Sequence, residues 1–174
     1  FTDPSVIPVG GQWYYEVRGC NSTCCSAFTD PAGIFRDFQI IANTGVVTYS
    51  FPFLQFHIGD FMLFNQAATT TISVPKLHTC TGAFEVEADT ALLSLVITSL
   101  KTCDSFAVTD NPVLPTLSAP ALTACVTSFF AFRTNNLLAS ISFPLLSAVG
   151  GNIQGQDNPA LGSVSLPSLV SVGS

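Results

Sequence analysis

The chain has 174 residues, of which 48% are hydrophobic and only 9% are charged, against about 25% charged residues in ordinary soluble domains. Eleven Asp and Glu residues outnumber five Lys and Arg residues and give a net charge of −6, so the sequence lacks the basic patch that nucleic acid requires. The apolar segment 91–100 has ten residues, and no segment reaches the roughly 18 that a membrane-spanning helix needs.

Residues 1–37 carry no pattern that recurs later in the chain, and they contain a cluster of cysteines. The triplet Asn21-Ser22-Thr23 is an N-glycosylation acceptor, which makes Asn21 a candidate glycosylation site of a secreted protein. A stack of strands needs a cap at each end, because an open end exposes unpaired backbone and a slice of the core. We predict that this segment is the N-terminal cap, and that the protein is extracellular or lies at the cell surface.

The cysteines indicate an oxidising environment. Six occur in this acidic, lysine-poor chain: Cys20, Cys24, Cys25, Cys80, Cys103 and Cys125. An even number in such a chain favours disulfide bonds. Zinc is the alternative, but the cluster at 20–25 lacks the usual C-x₂-C spacing and the chain has only two histidines. We therefore expect the cap to be linked by disulfides.

A repeat of about 23 residues fills the rest of the chain, and several columns of similar residues reveal it. Prolines recur with Thr98 filling one gap: Pro52, Pro75, Pro120, Pro144 and Pro167. Nine residues before each comes an amide or a carboxylate: Asn43, Gln66, Asp89, Asn111, Asn135 and Asn158. Two residues after each comes a leucine: Leu54, Leu77, Leu100, Leu122, Leu146 and Leu169. Such self-similarity at a fixed period predicts a solenoid.

Within one period the sequence reads as three short strands, because apolar and polar residues alternate between corners marked by Asn, Pro and Gly. Coils of three strands that pair only with their neighbours form a parallel β-helix. The prediction is an all-β, right-handed parallel β-helix of about six rungs over residues 38–174. Its first sheet should have strands centred near residues 38–42, 61–65, 84–88, 106–110, 130–134 and 153–157.

The repeat N-x-x-L-x-x-h-x-h-P-x-L-x-x-V-x-G, seen best in "NPALGSVSLPSLVSVGS", resembles that of receptor L domains. It is closer still to the repeat of fungal cell-wall proteins that carry a GPI anchor. The resemblance covers residues 38–174 and implies a leucine-rich β-helical fold. For function it implies only a range, since such modules serve as ligand platforms, wall components and adhesins.

Two columns of the repeat could bind a ligand, and both have a simpler interpretation. The Asn-type column is expected to satisfy backbone groups at a corner of the coil. A serine column two residues before the prolines should point outward: Ser50, Ser73, Ser118, Ser142 and Ser165. Regular hydroxyls on a flat sheet could bind ice, sugar or another sheet, but a solvated β-face is the interpretation we prefer.

A third column holds His57, Cys80, Cys103, Cys125, Val149 and Val172, and it should point inward. Adjacent strands lie about 4.8 Å apart, close to the Cα separations that a disulfide tolerates. We predict a disulfide between Cys103 and Cys125, a second between Cys20 and either Cys24 or Cys25, and a third from the remaining one of these to Cys80. His57 is expected to be a core or cap residue.

Catalysis finds little support in the sequence. The acidic residues are scattered, and the close pair Glu85 and Glu87 points outward from one strand without a histidine nearby. We predict a chain that is not an enzyme and that uses no cofactor and no metal.

The last rung is expected to lack a cap and to expose inward-type residues beside unpaired backbone: Leu161, Val164, Leu166, Leu169 and Val172. The opening segment offers apolar contacts that could cover it: Phe1, Val6, Ile7 and Val9. We therefore predict an extracellular structural protein whose copies assemble head to tail into a fibre or surface layer. The alternative is a secreted or surface ligand-binding or adhesive L-domain module, cut from a larger protein, whose partner is a surface protein or glycan.

Overall fold

The computed structural model describes residues 38–173 and, among the first 37, the backbone of four strands of two residues each. These strands are β1 (Pro8–Val9), β2 (Gln12–Trp13), β3 (Gly19–Cys20) and β4 (Cys25–Ser26). β1 pairs with β2 and β3 with β4, both antiparallel. The chain divides into two compact units, Phe1–Ile34 and Phe35–Ser174.

The second unit is a parallel β-solenoid of six coils, each with one strand in each of three sheets. The coils begin at residues 38, 61, 84, 106, 130 and 153, so the first five have 23, 23, 22, 24 and 23 residues. The first sheet contains β5 (Phe38–Ile41), β8 (Phe61–Phe64), β11 (Phe84–Glu87), β14 (Phe106–Thr109), β17 (Phe130–Arg133) and β20 (Ile153–Gln156). The third sheet contains β7 (Phe56–His57), β10 (Thr79–Cys80), β13 (Thr102–Cys103), β16 (Ala124–Cys125), β19 (Ala148–Val149) and β22 (Ser171–Val172).

This architecture confirms the predicted β-solenoid, the period of about 23 residues and the positions of the first-sheet strands. Each strand pairs in parallel with its counterpart one coil away; Phe84, for example, is in register with Phe61 and with Phe106. No helix occurs among residues 38–173. The right-handed sense of the coil remains a prediction.

The second sheet is divided into two halves. One half contains β6 (Thr48–Ser50), β9 (Thr71–Ser73) and β12 (Ser94–Val96), and the other contains β15 (Thr116–Ser118), β18 (Ser140–Ser142) and β21 (Ser163–Ser165). In the coils on either side of this division, the residue that precedes the second-sheet strand donates its N–H to a carbonyl of the preceding coil. Leu93, for example, donates to the Thr70 carbonyl at 2.9 Å. The residue at this place in coil 4 is Pro115, which has no N–H to donate. Pro115 therefore separates the two halves.

The corner after each first-sheet strand has the same backbone in every coil. One residue adopts positive φ, between 52° and 58°: Ala42, Asn65, Ala88, Asp110, Thr134 and Asp157. The Asn-type residue follows it directly. A left-handed residue turns the chain sharply, so the strand ends there. The prolines mark a second corner, where the Leu146 N–H donates to the Phe143 carbonyl at 3.3 Å across Pro144, the usual place for proline in a β-turn.

The core consists of columns of like residues that stack along the solenoid. The phenylalanine column runs through Phe38, Phe61, Phe84, Phe106 and Phe130, with ring centroids 4.9 to 5.5 Å apart. The last four of these rings are fully buried, and so are Leu77, Leu100, Leu122 and Leu146 of the leucine column. Each such side chain stabilises the fold by about 1.5–3 kcal/mol relative to exposure. The columns detected in the sequence are therefore the core itself.

Candidate functional site

The cysteine column lies inside the solenoid, but the disulfides predicted for it are wrong. Cys80, Cys103 and Cys125 are free and buried. Cys103 and Cys125 are register partners on adjacent strands. The hydrogen bond with Cys125 raises the pKa of the Cys103 thiol, and burial raises it further. Burial also raises the pKa of Cys80 to about 12, so Cys80 and Cys103 are unreactive packing groups.

The physical reason for the error is the direction of the side chains. Register partners on parallel strands point the same way, so their Cβ atoms stay about as far apart as the strands, roughly 4.8 Å. A disulfide needs Cβ atoms about 3.8 Å apart. The Cα separation that suggested a bond between Cys103 and Cys125 is therefore insufficient, and Cys80 is likewise free.

The predictions for the first unit fall largely outside the described residues. Cys20 and Cys25 are register partners in the antiparallel pair of β3 and β4, but their side chains lie outside the described part, as do Cys24 and the glycosylation candidate Asn21. Of the predicted assembly residues, Phe1, Val6 and Ile7 lie outside it as well. For Val9 only the backbone, in β1, is described.

His57 is a core residue at the first coil, as expected. It is 7% exposed, and its Nε2 lies 2.9 Å from the Asp60 carbonyl oxygen. Its ring meets those of Phe38 and Phe61 edge to face.

The Glu85–Glu87 pair is half-buried, and burial and the charge of Glu87 raise the pKa of Glu85.

The Asn-type column forms a hydrogen-bonded ladder through the interior. In four members of the column the side-chain oxygen accepts the backbone N–H of the counterpart one coil earlier: Asp89, Asn111, Asn135 and Asn158. Asn135 Oδ1, for example, accepts from Asn111 at 3.1 Å. The side-chain nitrogen donates to backbone carbonyls, as Asn111 Nδ2 does to Val86 and Thr109 at 3.0 and 2.9 Å. This confirms that the column satisfies backbone groups at the corner.

Asp89 interrupts the ladder. Its Oδ1 accepts the Gln66 N–H at 2.7 Å, as the amides do. Its Oδ2 occupies the place of the donating amide nitrogen and is buried without a hydrogen-bond partner. Burial raises the pKa of Asp89 to about 7, although the hydrogen bond from the Gln66 backbone opposes the shift.

The outward face of the second sheet carries hydroxyl groups at eleven of its twelve positions. The serine column predicted to point outward lies here, with Val96 as its gap, and a second column that the sequence interpretation missed lies beside it: Thr48, Thr71, Ser94, Thr116, Ser140 and Ser163. The motif [ST]-x-S before each proline was the available signal. The backbones of neighbouring strands are about 4.8 Å apart, and the hydroxyls point away from the core, so they are available to water or a ligand.

The other outward faces are less regular. The outward column of the first sheet contains Met62, Glu85, Ala107, Ala131 and Gln154, of which Ala107 and Ala131 are buried. An open depression of about 330 Å³ lies at the third sheet, and Thr79, Thr81 and Thr102 are among its lining residues. The fold therefore accepts varied residues outside.

The end face of coil 6 exposes residues whose counterparts in coil 5 are buried. Val164 is 50% exposed and Val172 is 47% exposed. Their counterparts Ile141 and Val149 are 1% and 2% exposed. Leu161, Leu166 and Leu169 are half-buried, and β20, β21 and β22 are edge strands. The end-face residues predicted from the sequence thus lie together.

Within the described part of the chain, no group of three or more His, Cys, Asp and Glu side chains is arranged to hold a metal ion. Among the same residues there is also no helix long and apolar enough to cross a membrane.

These features define a parallel β-solenoid with an internal amide ladder, one hydroxyl-rich face and an apolar end face. No protein-family profile, no curated protein and no solved structure matches the chain significantly.

Proposed function

We propose that this chain is a non-enzymatic, extracellular structural protein that assembles head to tail through the end face of coil 6. The observation that carries the proposal is the difference in side-chain exposure between coil 6 and coil 5. An added coil would pair β20, β21 and β22 along their free edges. It would also cover Val164 and Val172, each about half exposed, which is worth about 1 kcal/mol per side chain. A contact of this kind does not close on itself, so it builds a filament.

The extracellular part of the proposal has sequence support. The repeat resembles those of receptor L domains and fungal cell-wall proteins, and Asn21 stands in a glycosylation motif. The cysteine argument for secretion rests on the cluster at 20–25, because the three cysteines in the solenoid are free. The few surface charges lessen repulsion between copies that stack.

The test is the assembly state of the protein and of two matched variants. Val172→Asp places a charge on the end face, whereas Val126→Asp places it at a side chain that is 58% exposed in coil 4, away from the end. We expect the native protein and Val126→Asp to form filaments in electron micrographs and Val172→Asp to remain monomeric in sedimentation velocity. Circular dichroism checks that the fold is unchanged. A native protein that sediments as a single monomer refutes head-to-tail assembly.

The hydroxyl face supports a second candidate, a surface module that binds a glycan. Its two columns form an uncharged array with an axial spacing of about 4.8 Å, and hydroxyls both donate and accept hydrogen bonds, as sugars do. Pull-down with insoluble polysaccharides tests it. Ser142→Asp should abolish binding, whereas Gln156→Asp, on the outer face of the first sheet, should preserve it. Equal binding by both variants would remove this candidate.

A further inference from the structure

One position of the amide ladder differs chemically from its neighbours. At Gln66, Asn111 and Asn158 the side-chain nitrogen donates to two carbonyl oxygens, one on its own coil and one on the coil before. Asp89 has the same backbone and the same register, so its Oδ2 is directed at the equivalent carbonyls, those of Leu63 and Glu87. An ionised carboxylate is only an acceptor and cannot bond a carbonyl.

A proton on Oδ2 resolves the conflict, because a protonated carboxyl donates as the amide nitrogen does. We propose that Asp89 binds a proton on the acidic side of neutrality, that this proton completes the ladder between coils 2 and 3, and that its loss at higher pH loosens the solenoid there. The inference concerns a pH-sensitive element inside the fold and is independent of the proposed assembly.

Among the groups that surround Asp89, Asp89 itself is the one expected to change protonation near neutral pH. Gln66 from coil 2 and Asn111 from coil 4 are neutral amides, and Glu87 faces it through the backbone only, since its side chain lies on the outward face. Tyr49 from coil 1 is the ionisable neighbour, and its hydroxyl donates to Gln66 Oε1 at 2.9 Å. Burial, and then the charge of Asp89, raises the pKa of Tyr49 to about 12, so Tyr49 stays neutral where Asp89 titrates.

The direction of the pH effect follows from proton linkage. The pKa of Asp89 is about 7 in the folded chain, against an ordinary value of 3.8. Between these values the folded chain holds a proton that the unfolded chain has released, so stability falls as pH rises. The contribution of this site to the unfolding equilibrium constant rises by up to about tenfold per pH unit in that window and levels off above it.

The first experiment compares unfolding of three full-length proteins in urea from pH 4 to pH 8. Asp89→Asn replaces the acid by the amide that the other coils use, and Asp157→Asn makes the same change at an exposed residue of coil 6. We expect the unfolding midpoint of Asp89→Asn to exceed that of the wild type increasingly as pH rises, and the two to converge near pH 4. The Asp157→Asn protein should follow the wild type. If Asp89→Asn tracks the wild type at every pH, the inference is wrong.

The second experiment does not require that the variant fold. Carboxyl ¹³C NMR of the native protein follows the Asp89 signal, assigned through its backbone resonances, and we expect that signal to have a midpoint near neutrality. Amide exchange of Gln66, whose N–H donates to Asp89 Oδ1, should accelerate above that midpoint beyond the intrinsic pH dependence. A midpoint near the ordinary value for aspartate overturns the proposal.

Discussion

Removing Asn135 tests whether the amide ladder holds the coils together. Asn135 is fully buried; its Oδ1 accepts the Asn111 N–H, and its Nδ2 donates to the Val108 carbonyl at 2.9 Å. In Asn135→Ala the Asn111 N–H is left buried without an acceptor, which costs about 1–3 kcal/mol, and a second hydrogen bond worth about 0.5–1.5 kcal/mol is lost. The expected loss is therefore about 2–4 kcal/mol, a large share of the roughly 5–15 kcal/mol typical of a folded domain.

Urea denaturation followed by circular dichroism measures this loss. The matched control is Asn136→Ala, which removes an exposed amide from the next residue and should change stability by less than about 0.5 kcal/mol. A third variant, Asn135→Asp, keeps the acceptor and should be milder at acidic than at neutral pH. If Asn135→Ala costs no more than Asn136→Ala, the ladder contributes nothing and the reasoning fails.

Three further predictions concern the core, the thiols and the corner. Leu146→Ala should cost about 2–5 kcal/mol in denaturation, because the buried column cannot collapse, while outward Ser142→Ala should cost under about 0.5 kcal/mol; equal losses would contradict the inward and outward assignment. Cys103 should be found unpaired by non-reducing peptide mapping and should react with iodoacetamide only after unfolding, so rapid labelling of the native protein would contradict its burial. Thr134→Asn should raise the unfolding midpoint, since a β-branched residue at φ 55° is strained by about 1–3 kcal/mol, and an unchanged midpoint would contradict that strain.

The fold could be predicted because stacking repeats the same environment in every coil. Phe84 rests between Phe61 and Phe106, so each position selects the same kind of side chain, and the selection appears in the sequence as columns. The corner with positive φ could not be predicted in this way. In different coils this corner position holds Asn65, Ala88 or Thr134. Neither alanine nor threonine signals a left-handed backbone.

The interior chemistry was predicted less well than the interior packing. The sequence placed Cys103 and Cys125 in one column, but whether they bond depends on Cβ directions that spacing alone does not give. In the same way, Asp89 was recognised as a member of the Asn column. That its second oxygen would meet carbonyls follows only from the donors seen at Asn111 and Asn158, because the chemical difference between an amide and an acid matters only once the partner atoms are known.

The outward faces are where function has to be sought, because the fold constrains them least. The first sheet tolerates Met62, Glu85 and Gln154 in one outward column, so the solenoid does not require hydroxyls outside. Serine also has lower strand propensity than the β-branched residues that would otherwise suit such positions. The hydroxyls on the second sheet are therefore not explained by folding. Pro115 divides that face into two halves of three strands each, so a ligand that needs a longer uninterrupted array should bind no better to six coils than to three.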